Sequence, residues 1–423
     1  MKKRMMTLVT CALAAAAFSA MGCSAEDKPV TLTLYGDAGN VQRPFMQKLF
    51  ELYEEKTGNK LDVQGIESEN FETVCLTKFQ TGDIPDLFLH HGGYSLDAYN
   101  PAENFVNFTD AAWVSDIQES VLPTTMRDGE VYGLPFWEAS YSGLIYNQRI
   151  FEELDIELPK TQDEFNAVCD TLLENGVQPI YLPLKDAWPI LYQYGMDPIF
   201  EDAELLEKLN TNQITYSEIP EMKAQMEWYK MAADQGYFGE SFSTDTWDYC
   251  MEVLGEGEAA MMYCWDTWLY SDYDSEAYTY TADDFGLMPA FLATTENGTF
   301  EGPNCCLMLA NKNSENAEAA IEFINFMADP ENYNIAFEDF QTAPVFKQQT
   351  TIQATPQYQA AADWIAEVGH ASIANPEIIG FSNVDGAKCI QELLIGNVDV
   401  DTCLQRMDEE RIKAAKTQNA AGF

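Results

Sequence analysis

Basic side chains are scarce in this chain: 23 Lys and Arg stand against 69 Asp and Glu, a formal charge of −46 over 423 residues. Such a field repels nucleic acid and phosphorylated compounds and favours neutral or cationic solutes, which excludes nucleic-acid binding. Histidine is rarer still, with three residues, and none stands at the spacing of a zinc ligand. No CxxC pair occurs either, so no metal site is expected. Signatures of catalysis are missing too: there is no G-x-S-x-G elbow, HExxH helix, P-loop or Rossmann glycine cluster, and no cofactor is expected. The 69 carboxylates make a glycosidase-like pair inevitable by chance, so such a pair carries no weight. There is no internal repeat, low-complexity tract or long linker, and beyond the N-terminus no apolar run approaches membrane length.

What is present begins with a distinctive leader. Lys2, Lys3 and Arg4 precede an almost wholly apolar stretch, 5–18, and Ser19, Ala20, Met21 and Gly22 lead to Cys23. A basic start, a short apolar segment and small residues describe a secretion signal. The small-Gly-Cys ending resembles the lipobox of bacterial lipoproteins, which implies removal of residues 1–22, acylation of Cys23 and a polar tether over 24–29. Loss of the leader takes away three basic residues and no acidic ones, so −46 becomes −49. With 46% hydrophobic and 13% aromatic residues the remainder is globular and long enough for two domains. Apart from Cys11 and Cys23, the cysteines are Cys75, Cys169, Cys250, Cys264, Cys305, Cys306, Cys389 and Cys403. They sit in apolar or helical surroundings and read as small hydrophobes, with a disulfide among them left open.

Along the chain, period-two and period-3.6 patterns alternate. Thr31-Leu-Thr-Leu-Tyr35 reads as a strand, 44–56 as a helix, 61–63 as a strand, 71–79 as a helix and 86–90 as a strand. This alternation predicts parallel α/β layers. Thr161 and Glu164 form a capping box for a helix to Leu173, and further helices are expected over 221–235, 315–327 and the C-terminus, where Arg411 interrupts the apolar stripe.

Several segments carry a family resemblance in their order. They are Thr81-Gly-Asp-Ile-Pro-Asp-Leu-Phe88, Gly129-Glu-Val-Tyr-Gly-Leu-Pro-Phe136, Gly143-Leu-Ile-Tyr-Asn147, Gly255-Glu-Gly-Glu-Ala-Ala-Met-Met-Tyr263, Phe285-Gly-Leu-Met-Pro289 and Asn316-Ala-Glu-Ala-Ala-Ile-Glu-Phe-Ile-Asn-Phe-Met327. Over 30–415 this succession resembles the family 1 extracellular solute-binding proteins, the sugar receptors of bacterial ABC importers related to maltose-binding protein. The resemblance implies a two-lobed periplasmic-binding-protein-like α/β fold of the type II class with a hinge between the lobes. Lobe one would comprise 27–136 and 290–345, and lobe two 137–289 and 346–423. It also implies a monomer on the outer face of the membrane, held there by its lipid anchor, that delivers its ligand to permease subunits.

A sugar offers apolar C–H faces and a rim of hydroxyls, so its receptor needs flat rings beside polar groups. Trp265, Asp266 and Trp268 follow the Ala-Ala-Met-Met strand, where the family presents a stacking Trp. Trp137 and Glu138 lie at the implied first crossing, and Lys185 and Trp188 where the family offers an aromatic and an acid. His90 and Tyr94 end the third strand, Tyr35 and Asp37 end the first, and Phe381 resembles a late aromatic of the second lobe. Trp113, Trp228, Trp247 and Trp364 read as packing residues. An acidic cleft with aromatics would also suit a polyamine through cation–π contact, and a surface glycan hydrolase is the rival of another class.

Overall fold

The computed structural model describes residues 29–67, 70–127, 129–350, 352–417 and 420–423, and for Tyr94 the backbone alone. The leader 1–22 and Cys23 lie outside the described residues. In chain order the strands are β1 (Thr31–Asp37), β2 (Lys60–Ile66), β3 (Leu87–His91), β4 (Met126–Arg127), β5 (Glu130–Val131), β6 (Gly133–Leu134) and β7 (Ser142–Asn147). They continue with β8 (Gln178–Ile180), β9 (Ala259–Trp265), β10 (Phe285–Met288), β11 (Phe300–Glu301), β12 (Cys306–Ala310) and β13 (Gly369–His370). A first sheet has the order β2-β1-β3-β12-β6 and a second the order β13-β11-β7-β9-β8, with β10 also paired to β7; β4 and β5 form a small ribbon. β1 runs parallel to both β2 and β3, whereas β12 is antiparallel to β3.

Both sheets are covered on both faces, which explains their near-continuous apolar strands. On β12, Met308 and Ala310 join a core with Phe45, Leu49 and Phe323, while Leu307 and Leu309 join another with Phe71, Phe88 and Tyr99. β9 repeats the pattern: Met261 and Tyr263 enter one core and Met262 and Cys264 the other. The expected strands and helices are present within a few residues, including helices Pro44–Thr57, Phe71–Gln80, Pro220–Gln235, Ala317–Met327 and Val400–Thr417. The helix Gln162–Glu174 is capped by Thr161, whose hydroxyl accepts from Glu164 N at 3.3 Å, but the Glu164 carboxylate reaches back to Lys160 N at 2.7 Å instead of the cap residue. Arg411, expected to interrupt the last helix, is buried: it donates to Leu209 O and lies over the rings of Tyr216 and Phe423. The eight cysteines are buried and unpaired, as small hydrophobes are.

Within the described residues the chain passes between the sheets three times: from β6 to β7, from β11 to β12, and after the helix Pro330–Ala336. The first and third passages are tied together by a bridge between Ala139 and Ala343, with Ala139 N donating to Thr342 Oγ1 at 2.9 Å. Segment 290–301, expected with the first lobe, belongs to the second sheet: β11 pairs with β7 and β13, and Ala290, Phe291 and Phe300 fill its cores. In the other direction, Phe346 belongs to the first core, and Ile352 packs against it. The two halves also touch where Gly93 (φ 74°) approaches Pro376 so closely that a Cβ would sit 2.2 Å from the Pro376 Cα.

Phe45 is fully buried among Phe136, Trp137, Phe337 and Phe340, with ring centroids 4.6–6.1 Å away. Phe45→Ala is therefore expected to lose about 3–5 kcal/mol of stability, measured as a shift in the denaturant midpoint.

Candidate functional site

A cavity of about 800 Å³ lies between the sheets, at the C-terminal ends of the parallel strands, where ligands bind in open α/β sheets. From the first half it is lined by Asp37 at the end of β1, His91 at the end of β3, and Asn40, Arg43, Trp137 and Glu138. From the second half come Ser142 at the start of β7, Trp265 at the end of β9, Glu301 on β11, and Lys185, Trp188, Gln193 and Tyr194.

Six residues expected from the sequence therefore meet here: Asp37, Trp137, Glu138, Lys185, Trp188 and Trp265. Asp37 Oδ1 accepts from Gly39 N (2.9 Å) and Asn40 N (3.2 Å), capping the short helix that carries Asn40 toward the cavity. Trp137 stands edge-on to Phe45 at 5.6 Å, with the Arg43 guanidinium 5.7 Å from its ring. Glu138 is 2% exposed; its Oε1 lies 3.6 Å from Arg43 Nη2 and its Oε2 has no partner. Burial pushes this carboxyl up to about 7, outweighing the pull of Arg43. Lys185 and Trp188 sit on two tight turns around Ala187, whose φ of 63° is strained for a residue with a Cβ.

Trp265 and Trp188 are linked through Trp247, which stacks on Trp265 at 5.8 Å and 12° and meets Trp188 at 4.7 Å. Trp247, read as a packing residue, thus backs both cavity-facing rings. Together with Trp137 these rings supply flat apolar surfaces beside a polar floor, the composition that holds a polyol.

Other expected residues are elsewhere. Trp268 is fully buried against Tyr273 and Trp247 in the core behind β9, since the turn after Trp265 directs it inward. Asp266 is a hinge tie: Oδ1 accepts from Tyr141 N at 2.6 Å and Oδ2 from Thr355 Oγ1 at 2.5 Å, and burial raises its carboxyl to about 6. His90 is one residue out of register. Its Nε2 meets Glu72 Oε1 at 2.8 Å and its ring stacks between Phe71 and Phe88 on the face away from the cavity. The pleat sends the next residue, His91, to the cavity side beside Cys306 Sγ at 3.5 Å. Desolvation and the neighbouring His90 press His91 down to about 4, so it is neutral near pH 7.

Tyr35 lies one pleat deeper than Asp37; its hydroxyl bonds Asp83 Oδ1 at 3.2 Å and Lys78 Nζ at 3.0 Å. Phe381 packs on Tyr192 at 5.6 Å and faces a separate hollow near Arg411. For Tyr94 only the backbone, in the turn Gly93–Tyr99, is described. The sequence reading missed Asn40, Arg43, Gln193, Tyr194 and Glu301. Asn40 and Arg43 follow β1 directly and were legible as strand-end residues. Gln193 and Tyr194 open a helix with no strand-end signal, and Glu301 lay in a segment assigned to the other half.

This fold, two α/β halves hinged over a cleft, is that of solved sugar-binding proteins. A chitin oligosaccharide binding protein superposes with a TM-score of 0.77 at 20% identity, covering 92% of this chain and 99% of that one. A sugar transporter protein from Bacillus licheniformis in complex with stachyose gives 0.72 at 19% identity, covering 91% and 100%. The chain belongs to the bacterial extracellular solute-binding protein family, whose model matches residues 48–366. Relatives include an uncharacterized ABC transporter extracellular-binding protein of Pyrococcus horikoshii, 24% identical over 54% of this chain and 52% of its own length. The diacetylchitobiose binding protein of Streptomyces coelicolor is 28% identical over 47% of each chain, and the multiple sugar-binding protein of Streptococcus mutans 25% over 43% of each. The chain thus spans about half the length of the curated relatives it matches.

Two outcomes test this geometry. Trp265→Ala is expected to weaken ligand binding at least tenfold with little change in melting temperature, whereas Trp268→Ala lowers stability by about 3–5 kcal/mol, read by thermal unfolding and calorimetry in parallel. The second concerns pH. The folded chain holds the Glu138 proton up to about pH 7, while an unfolded chain releases it near 4.5, so Glu138 destabilises the fold increasingly as pH rises between these values. Glu138→Gln should therefore gain melting temperature relative to the parent between pH 5 and pH 8; a constant difference across that range would contradict the assignment.

Proposed function

We propose that this chain is the extracellular receptor of an ABC importer, binding a neutral sugar or oligosaccharide in the cleft and handing it to the membrane permease without chemical turnover. The observation that carries this reading is the cavity itself. Three indole rings from both halves, Trp137, Trp188 and Trp265, surround buried polar side chains that have unused hydrogen-bonding capacity. Rings stack on sugar faces and the polar groups take the hydroxyls. The sugar-binding relatives and structural neighbours support the choice of ligand class.

In this reading lobe one comprises 30–139 and 303–352, apart from the residues outside the description, and lobe two the sheet of β7 with its helices. Ligand binding shifts an open–closed equilibrium, because only the closed form presents both sets of side chains. Arg43 is placed to hold closure: from the first half it donates to Ser271 Oγ at 3.0 Å and Asp272 Oδ2 at 2.8 Å of the second. The leader and Cys23 pattern supports export and lipid anchoring of a monomer at the outer face of the membrane.

Titration calorimetry with neutral oligosaccharides and with spermidine, alongside solution scattering, tests the proposal: saccharides should give heat and compaction, and a response to spermidine alone would refute it. Arg43→Met should leave the fold intact, expand the ligand-bound particle in scattering, and weaken affinity by about tenfold through loss of its charge-assisted bonds. Identical scattering curves for parent and variant would show that closure does not depend on Arg43.

A further inference from the structure

Buried oxygens at the polar floor of the cavity stand without partners. Glu138, 2% exposed, presents an unpartnered Oε2 from the first half, and Gln193, 4% exposed, an unpartnered Oε1 from the second. Glu301, 4% exposed on β11, also faces the cavity; its Oε1 is taken by the Ser372 hydroxyl at 2.7 Å. Behind Glu301 stands Asp197, whose Oδ1 accepts from Ile373 N and Ala374 N, both at 2.9 Å, and whose Oδ2 is unpartnered. Burial, and then the Glu301 carboxyl, push Asp197 well above the usual carboxylate range. Glu138 from the first half and Gln193 from the second thus each bring a buried oxygen without a partner to the cavity, and a buried polar atom left unpaired is destabilising.

The cations that line the cavity are Arg43, Lys185 and Lys388. Arg43 is already committed to Ser271 and Asp272, with Glu138 at 3.6 Å. His91 is neutral near pH 7. Lys185 and Lys388 are exposed, and Lys388 is paired with Asp385 at 3.2 Å.

We infer that the buried end of the ligand is a hydrogen-bond donor without negative charge, so that the cleft accepts neutral or amino saccharides and rejects uronic acids. This rests on the sugar-receptor reading and narrows it. Discrimination arises because a carboxylate would be desolvated among the buried carboxyl groups of Glu138 and Glu301, which burial raises to about 7 and which are therefore partly ionised and repel it at pH 7.

The test is calorimetry on the mature chain at pH 7 with methyl β-cellobioside, N,N′-diacetylchitobiose and raffinose, each paired with its C6-carboxylate counterpart. The carboxylated partner of any sugar that binds is expected to be at least ~100-fold weaker, as sites built around buried polar groups discriminate on this order or more. Glu138→Gln should narrow the gap about tenfold by removing one carboxylate. A carboxylated sugar bound within threefold of its neutral partner overturns the inference and leaves the receptor reading standing. Heat from none of the neutral sugars, with folding verified by circular dichroism, overturns the receptor reading and the inference with it. Should Glu138→Gln fold poorly, the gap measured on the unmodified chain decides alone.

Discussion

The pleat of two doubly covered sheets governs everything that faces the cleft. A strand packed on both sides sends successive side chains into two different cores, so only its terminal residue can turn toward solvent between the lobes. Asp37, His91 and Trp265 reach the cavity because each is the last residue of its strand, β1, β3 and β9. The hinge passage obeys the same rule: Ser140 and Ser142 line the cavity, while Tyr141 between them turns to Tyr358, 4.8 Å away.

The hinge adds a second constraint, built from buried polar groups. Asp266 connects the first passage, at Tyr141, to the third, at Thr355, and the Thr342 hydroxyl joins the same two passages at Ala139. A buried carboxylate with two good donors is satisfied but desolvated, which explains its upward displacement to about 6. Glu138 beside it lacks those donors and is displaced further, to about 7. The two acids are close in space and equally buried, yet one serves the fold and the other offers an oxygen to the cavity. Partner count separates them.

Much of this was legible beforehand. Alternating apolar patterns located β1, β2, β3 and the helices between them, because each element carries its own periodicity in consecutive residues. The order of the short motifs pointed to a hinged α/β pair and placed Trp137, Glu138, Lys185, Trp188 and Trp265 at the cleft. The misplacements have one kind of cause. His90 and His91 differ by a single step of the pleat, and Trp265 and Trp268 by three residues of a turn, so identical residue types end on opposite sides of a layer. Segment 290–301 was given to the wrong half because β11 pairs with β7 and β13, strands remote from it in the chain. Arg411 looked like a flaw in an apolar stripe; its partners, Leu209, Tyr216 and Phe423, are brought to it only by folding.

By itself, the order of residues determined the fold class, the position of most elements, the acidic character of the surface and the kind of side chain available to a cleft, since these depend on neighbours within a few positions. The tertiary structure alone decided which of two adjacent histidines faces the cavity, that Trp247 backs the two exposed indoles, that Arg43 spans the lobes, and that Glu138, Gln193 and Glu301 converge from distant segments. Those outcomes depend on contacts between residues far apart in the chain, whose direction is set by pleat, turn and hinge geometry and leaves no trace in local pattern.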